Sequence, residues 1–237
     1  MKLIPSALIA LSCLTLVACG ESTDEESGSG GGVTGNQPDW NRYDENAEAA
    51  DGVAADMSGT TRVDTAPTQD TASMSGAFGI QTDAVEAASG KVGAIVGEMT
   101  MEADFGEGTV EGKLYNTFLD YGSTHDPLTG TVNYDGTVTI ASGETDSTVL
   151  DGAVPDNTDI IANGTQTLTA PDGSSYNIYL DIFGDVHEIP NDPVVAGNPI
   201  TVVDGLLEGN VTITDADSVT DPLIYDIDGT YIVHEDE

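Results

Sequence analysis

The chain has 237 residues, of which 42 are acidic and 5 basic, giving a formal net charge of −37. Such a surface repels phosphate backbones, which excludes nucleic acid as a partner, and it repels anionic lipid head groups as well. The acids are spread along the whole chain and form no dense cluster, which reads as a solvated acidic surface tolerable in salt rather than as a site for cations or a basic partner.

Lys2 supplies a positive start, and Leu3 to Leu16 follows as an apolar stretch broken only by Pro5, Ser6, Ser12, Cys13 and Thr15. This is the order of a secretory signal, and the run is shorter than the roughly 20 apolar residues a membrane span needs. It closes on Leu16-Val17-Ala18-Cys19, which resembles the lipobox of bacterial lipoproteins. The resemblance implies that residues 1–18 are a signal peptide and that Cys19 carries diacylglycerol, so that the membrane is a partner through the lipid anchor. Gly20 stands where an aspartate would retain an enteric lipoprotein at the inner membrane, so the expected location is the outer membrane, on its surface or periplasmic face.

Residues 20–35 contain one apolar residue, Val33. They cannot offset their ordering entropy by burial and read as a flexible acidic and Gly/Ser tether. The segment 19–70 is therefore assigned to lipidated cysteine, tether and leader, with Trp40 and Tyr43 stapling the leader onto the body. Cys13 leaves with the signal and Cys19 is consumed by lipid, so the body has no disulfide, no thiolate metal site and no cysteine nucleophile.

From residue 72 the dominant period is two. Ala72, Met74, Gly76, Phe78 and Ile80 share one face, and Ile95, Met99, Met101, Ala103 and Phe105 share the next. Gly106-Glu107-Gly108 turns the chain into Val110, Gly112 and Leu114. Val132 and Tyr134 lead through Asp135-Gly136 into Val138 and Ile140, read as a second hairpin. Leu168 and Ala170 lead through Pro171-Asp172-Gly173 into Tyr176, Ile178, Leu180 and Ile182, a third. Leu207, Gly209, Val211 and Ile213 form one more face, and Leu223, Tyr225, Ile227, Gly229, Tyr231 and Val233 the last. Helix is expected to be nearly absent, with a turn or two over Asp83 to Ser89. One apolar face per strand needs a single interior, and closure removes exposed edges. The expected fold of 71–237 is all-β, an antiparallel up-and-down barrel of about eight strands, with a two-sheet sandwich as the alternative. Glycines at inward positions suit the bends of a small barrel.

Met99-Thr-Met-Glu-Ala-Asp-Phe105 and Gly108-Thr-Val-Glu-Gly-Lys-Leu114 resemble the central hairpin of the β-barrel domain of transferrin-binding protein B-like surface lipoproteins. Ser73-Met-Ser-Gly-Ala-Phe78 and Tyr225-Asp-Ile-Asp-Gly-Thr-Tyr231 are similar to that family's opening and closing strands, and the likeness covers about residues 70–233. The resemblance implies a single barrel at the outer membrane. It carries over no transferrin-contact residue, and the family's late Phe-Tyr-Gly segment is represented only by Ile182-Phe183-Gly184.

His125, His187 and His234 stand apart and read as surface histidines. No Gly-x-Ser-x-Gly elbow is present. The Asp215-Ala-Asp217 and Asp226-Ile-Asp228-Gly229 stretches read as turns and lack the 12-residue calcium loop. No enzyme activity, metal or cofactor is expected. Two functions follow: a non-enzymatic binding module for a protein or small solute, or a structural envelope lipoprotein with no dedicated ligand. The candidate ligand contact is the loop 117–127, with Phe118, Leu119 and Tyr121, unless those side chains plug the barrel end instead.

Overall fold

A computed structural model describes residues 38–57, 63, 67, 69–81, 93–140, 158–189, 200–214 and 222–235. One helix, α1 (Trp40–Asp56), precedes nine strands: β1 (Thr71–Gln81), β2 (Ala94–Asp104), β3 (Thr109–Asp120), β4 (His125–Leu128), β5 (Val132–Val138), β6 (Ile160–Thr169), β7 (Ser175–Ile189), β8 (Ile200–Thr214) and β9 (Leu223–Glu235). Eight of them form a ring in the order β1-β2-β3-β5-β6-β7-β8-β9, and β9 returns to pair with β1. Every pairing is antiparallel. The closed ring excludes the two-sheet sandwich. The ninth strand, β4, pairs with β3 at residues 117–120, in line with β5, which pairs with β3 at 109–114.

The period of two sends one set of side chains inward, and they fill the barrel. Met74, Phe78 and Ile80 meet Met99, Met101, Leu114, Ile178, Leu180, Ile182, Leu207, Val211 and Val233 in one buried cluster. Each large apolar side chain taken out of water contributes roughly 1.5–3 kcal/mol, so this interior is the main support of a barrel that contains no cysteine. Two tyrosines cross the interior over glycine pads. The Tyr134 ring lies where a side chain on Gly112 would be, a Cβ there falling 2.4 Å from the phenolic oxygen. Its hydroxyl donates to the Thr100 carbonyl at 2.8 Å. Tyr231 covers Gly184 in the same way, at 2.2 Å. Burial pushes both phenols well above the usual tyrosine range.

The turns at 104–109 and 169–175 follow the sequence reading. Asp104 Oδ1 accepts from Glu107 N at 2.7 Å, and Gly108 (φ 74°) donates to the Asp104 carbonyl at 2.8 Å. The third hairpin turns through Gly173 at φ 89°. The second expected hairpin is not one: Asp135-Gly136 lies inside β5. Gly136 is required by close strand approach, since a Cβ would sit 2.1 Å from the Ile161 carbonyl oxygen. Asp226-Ile-Asp228-Gly229 is likewise strand, not turn. Leu223 lies 55% exposed at the start of β9 and has no place in the interior. The expected turn at Asp83 to Ser89 and the stretch Asp215 to Asp217 lie outside the described residues.

The leader is not a featureless tether throughout, because residues 40–56 are helical. Asp39 caps the helix, its Oδ1 accepting from Asn41 N at 3.1 Å and Arg42 N at 3.5 Å. Trp40, Tyr43, Ala47 and Ala50 then recur at intervals of three and four, which gathers them on one face. That face lies on the barrel: Ala47 and Ala50 are buried with Ala77 of β1, and Tyr43 and Ile232 pack against them.

The loop expected at 117–127 is largely strand, being the end of β3 and most of β4. A β-bulge separates this part of β3 from its beginning. Val96 pairs with Phe118 while Glu98 pairs with Tyr115, so Asn116 and Thr117 together oppose Gly97. Asn116 adopts φ 48°, the left-handed region that asparagine tolerates better than most residues. The extra residue reverses the alternation. Val110 and Leu114 point inward before it, and Leu119 points inward after it, five positions on.

Candidate functional site

The bulge and the start of α1 meet at a clasp. Asn116 lies 6% exposed, and its side-chain amide grips the backbone of Asp39 from both sides. Asp39 N donates to Asn116 Oδ1 at 2.5 Å, and Asn116 Nδ2 donates to the Asp39 carbonyl at 2.8 Å. The same Nδ2 also reaches Glu98 Oε1 at 2.6 Å.

Glu98 is fully buried on the outer wall of β2, under the helix. An isolated carboxylate there would be costly, and Arg42 of α1 supplies the countercharge through Nε at 2.8 Å from Oε1. That hydrogen bond raises the Arg42 pKa further above its already high value. Glu98 Oε2 has no hydrogen-bond partner among the described residues. The Arg42 guanidinium also stands 5.5 Å from the centre of the Tyr115 ring.

Aromatic rings complete the clasp. Trp40 stacks on His125 with centroids 3.7 Å apart and planes 4° from parallel, and meets Phe118 edge-on at 5.1 Å. Tyr43 lies 5.0 Å from Trp40 and 6.2 Å from Phe118. The helix follows one row of cross-strand neighbours, Tyr115, Glu98, Ala77 and Ile232, over β3, β2, β1 and β9. Arg42 covers the charged member of that row, and Ala47 and Ala50 pack with Ala77 and Ile232.

Phe118, Leu119 and Tyr121 therefore form no shared exposed patch, and Leu119 and Tyr121 pack at the barrel interior, as in the plug that the sequence left open as the alternative. Phe118 (2% exposed) lies under the Trp40 and Tyr43 rings, and Leu119 (3%) belongs to the barrel interior. Tyr121 is half-buried against that interior. After the bulge the strand alternation puts Phe118 on the outer face and Leu119 and Tyr121 on the inner one, so the three form no single surface. Trp40 and Tyr43 do staple the leader. Cys19 lies outside the described residues.

The histidines take three separate roles. His125 is exposed and stacks on Trp40. His234 Nδ1 lies 3.0 Å from the Glu235 carbonyl. His187 Nε2 lies 3.0 Å from Asp204 Oδ1. Burial alone would lower the His187 pKa, but the hydrogen bond to Asp204 and the charges of Asp204, Asp185 and Asp159 outweigh it, and the net shift is upward. No group of three histidine, cysteine, aspartate or glutamate residues able to hold a metal ion occurs among the described residues.

The outer wall carries two further features. A groove of about 480 Å³ crosses β2, β3 and β5, with Thr100, Glu102, Glu111, Lys113, Asn133 and Asp135 along it. A row of acidic side chains winds round the barrel through direct cross-strand partners: Glu102, Glu111, Asp135, then Asn163, then Asp181, Glu208 and Asp228, ending at Gln81. Sequence reading could see the outward acids but not this alignment, because register between strands carries no local signature. Comparison of the chain with protein-family models, with curated proteins and with solved structures finds no match.

Proposed function

We propose that the chain is a lipid-anchored protein of the bacterial outer membrane, held through Cys19, whose barrel serves as a non-enzymatic acidic coat or spacer. The observation that supports a spacer over a ligand carrier is the burial of Phe118 and Leu119, which takes away the apolar loop patch a partner would use. The filled interior points the same way, since Met99, Leu180, Ile182 and Leu207 are fully buried in the space a carried ligand would need. The acidic row on the outer wall supplies the solvated surface a coat requires. Labelled fatty acid should enter the wild-type chain and not the Cys19→Ser chain, and the latter should leave the membrane fraction. Cells that lose the anchored chain should also lose negative electrophoretic mobility. Unchanged fractionation would overturn the anchor, and unchanged mobility would overturn the surface coat.

A binding module like the transferrin-binding protein B barrel is the second reading. It is supported by the groove over β2, β3 and β5, where Lys113 and Asn133 stand beside Glu111 and Asp135. Retention of one envelope component by the wild-type chain, lost on combined Lys113→Glu and Asn133→Ala substitution, would favour it over the spacer.

A further inference from the structure

Three side chains from distant parts of the chain meet at the entry to β1, where the ring of strands closes. Gln69 Nε2 donates to Thr201 Oγ1 at 3.0 Å and lies 2.7 Å from both carboxylate oxygens of Glu235. Thr201 N donates to Glu235 Oε2 at 2.9 Å, which brings that carboxylate to the residue bearing the hydroxyl. Backbone pairing fixes all three. The Asp70 carbonyl, next to Gln69, accepts from Phe105 N at 2.8 Å, while Thr201 pairs with Glu188 of β7 and Glu235 with Met74 of β1. Thr201 is 1% exposed, and Gln69 and Glu235 are half-buried.

A hydroxyl, a carboxylate and a carboxamide within hydrogen-bond reach are a nucleophile, a base and an acyl donor. A hydroxyl attacks poorly until a base takes its proton, and Glu235 stands beside both the nucleophile's residue and the leaving nitrogen. Gln69 Cδ is one C–N bond, about 1.33 Å, from Nε2, so a turn about the soft last torsion of that side chain carries the carbon towards Oγ1. Holding the pair together supplies the encounter that an alcohol and an amide free in water would lack.

We propose that Gln69 and Thr201 join in an ester that the chain forms on itself. Glu235 takes the proton of Thr201 Oγ1 as that oxygen attacks Gln69 Cδ. The tetrahedral carbon then collapses, and Glu235 passes the proton to the departing nitrogen. One C–O bond forms, one C–N bond breaks and ammonia leaves, with nothing oxidised or reduced. Ammonia is protonated in water and diffuses away, which draws the step forward. The product ties the residue ahead of β1 to β8 across 132 positions, spanning β9, in a barrel that contains no cysteine. The seam of the ring is then locked by a covalent bond. The inference depends neither on the lipid anchor nor on the coat reading, and its failure leaves both standing.

The experiment uses the full chain with Cys19→Ser, so that no lipid alters its mass. The folded chain, once denatured and weighed intact, should be lighter than its sequence by one ammonia. Peptides bearing Gln69 and Thr201 should run as one species, which hydroxylamine separates. Thr201→Val and Glu235→Gln should each show the full mass with an unchanged far-ultraviolet strand signal, and Thr201→Ser should restore the loss. A folded wild-type chain that keeps its full mass through prolonged incubation overturns the proposal. A missing ammonia that survives Thr201→Val overturns it too, since the loss then belongs to another amide. Undiminished ester in Glu235→Gln overturns Glu235 as the base.

Discussion

Asn116 and Asp39 exchange two hydrogen bonds across 77 positions of sequence, side-chain amide against backbone peptide, and so fix where the leader meets the barrel. The grip depends on an amide, which both donates and accepts. Asn116→Asp removes the donor and sets a second carboxylate beside Glu98, and should cost about 3 kcal/mol. Asn116→Gly keeps the left-handed backbone free of strain and loses only the grip, so it should cost less, about 1–2 kcal/mol. Urea unfolding of the two variants checks the order, and the reverse order would mean that the backbone conformation matters more than the amide.

Arg42→Ala leaves Glu98 buried with Asn116 as its remaining partner. Arg42 is itself half exposed, so the loss is set at about 2 kcal/mol, below the range for a fully buried pair. The single tryptophan of the chain, Trp40, sits inside the clasp and reports its opening. Its emission should shift to longer wavelength in Arg42→Ala well below the temperature at which the barrel loses its far-ultraviolet strand signal. Coincident transitions would show that helix and barrel come apart together.

His187 gives the barrel a pH dependence. Its pKa is raised in the folded state, so the folded state binds its proton more tightly than the unfolded chain does. The stabilisation is fully present below the ordinary histidine value of about 6.5 and is lost as pH rises through the higher folded value. The urea midpoint should therefore be higher at pH 6 than at pH 8.5, and His187→Gln should narrow that gap. A gap of the same size in the variant would remove His187 as its source.

Glu208 stands between Asp181 and Asp228 in the acidic row. Like charges directly opposite on a sheet disfavour the fold, by about 0.2–1 kcal/mol per pair. Glu208→Gln should raise the melting temperature at low ionic strength, and the gain should vanish in molar salt. A gain that survives salt would point to packing instead of charge.

Gly136→Ala separates two readings of an Asp-Gly step. In a hairpin turn the cost would be a few tenths of a kcal/mol to about 1 kcal/mol. Inside β5, where a Cβ meets the Ile161 carbonyl oxygen, the strands must part, and the cost should exceed about 2 kcal/mol. Gly79→Ala is the control, since nothing lies within 4 Å of its Cβ position.

The barrel was legible because alternation is a local property: Met99, Met101 and Ala103 announce their face within five residues. Gly136 misled because a glycine demanded by a neighbouring strand looks the same as one demanded by a turn. Phe118 and Leu119 mislead for a related reason, as the alternation that runs through Leu114 breaks at Asn116, and in sequence such a break looks the same as the end of a strand. The signal for the helix was present in Asp39 followed by Trp40, Tyr43, Ala47 and Ala50, a cap and a period of three and four. Two alanines make a weak apolar stripe, however, and the acids around them gave the segment the composition of a tether. Glu98 could not be picked out from the other outward acids, because its burial comes from a helix more than forty residues earlier in the chain.

The grip of Asn116 on Asp39 also decides how a mechanical load enters the molecule. A pull arriving along the chain from residue 38 passes through the paired amides into the middle of β3 before it reaches α1. That strand is flanked by β2 on one side and by β4 and β5 on the other, so the load spreads into two hydrogen-bonded ladders. It reaches them in the interior of the wall rather than at the start of β1, where the ladder would peel open one rung at a time. The helix carries little tension while the grip holds. Once it fails, the helix is the part that the barrel gives up before any strand is drawn out.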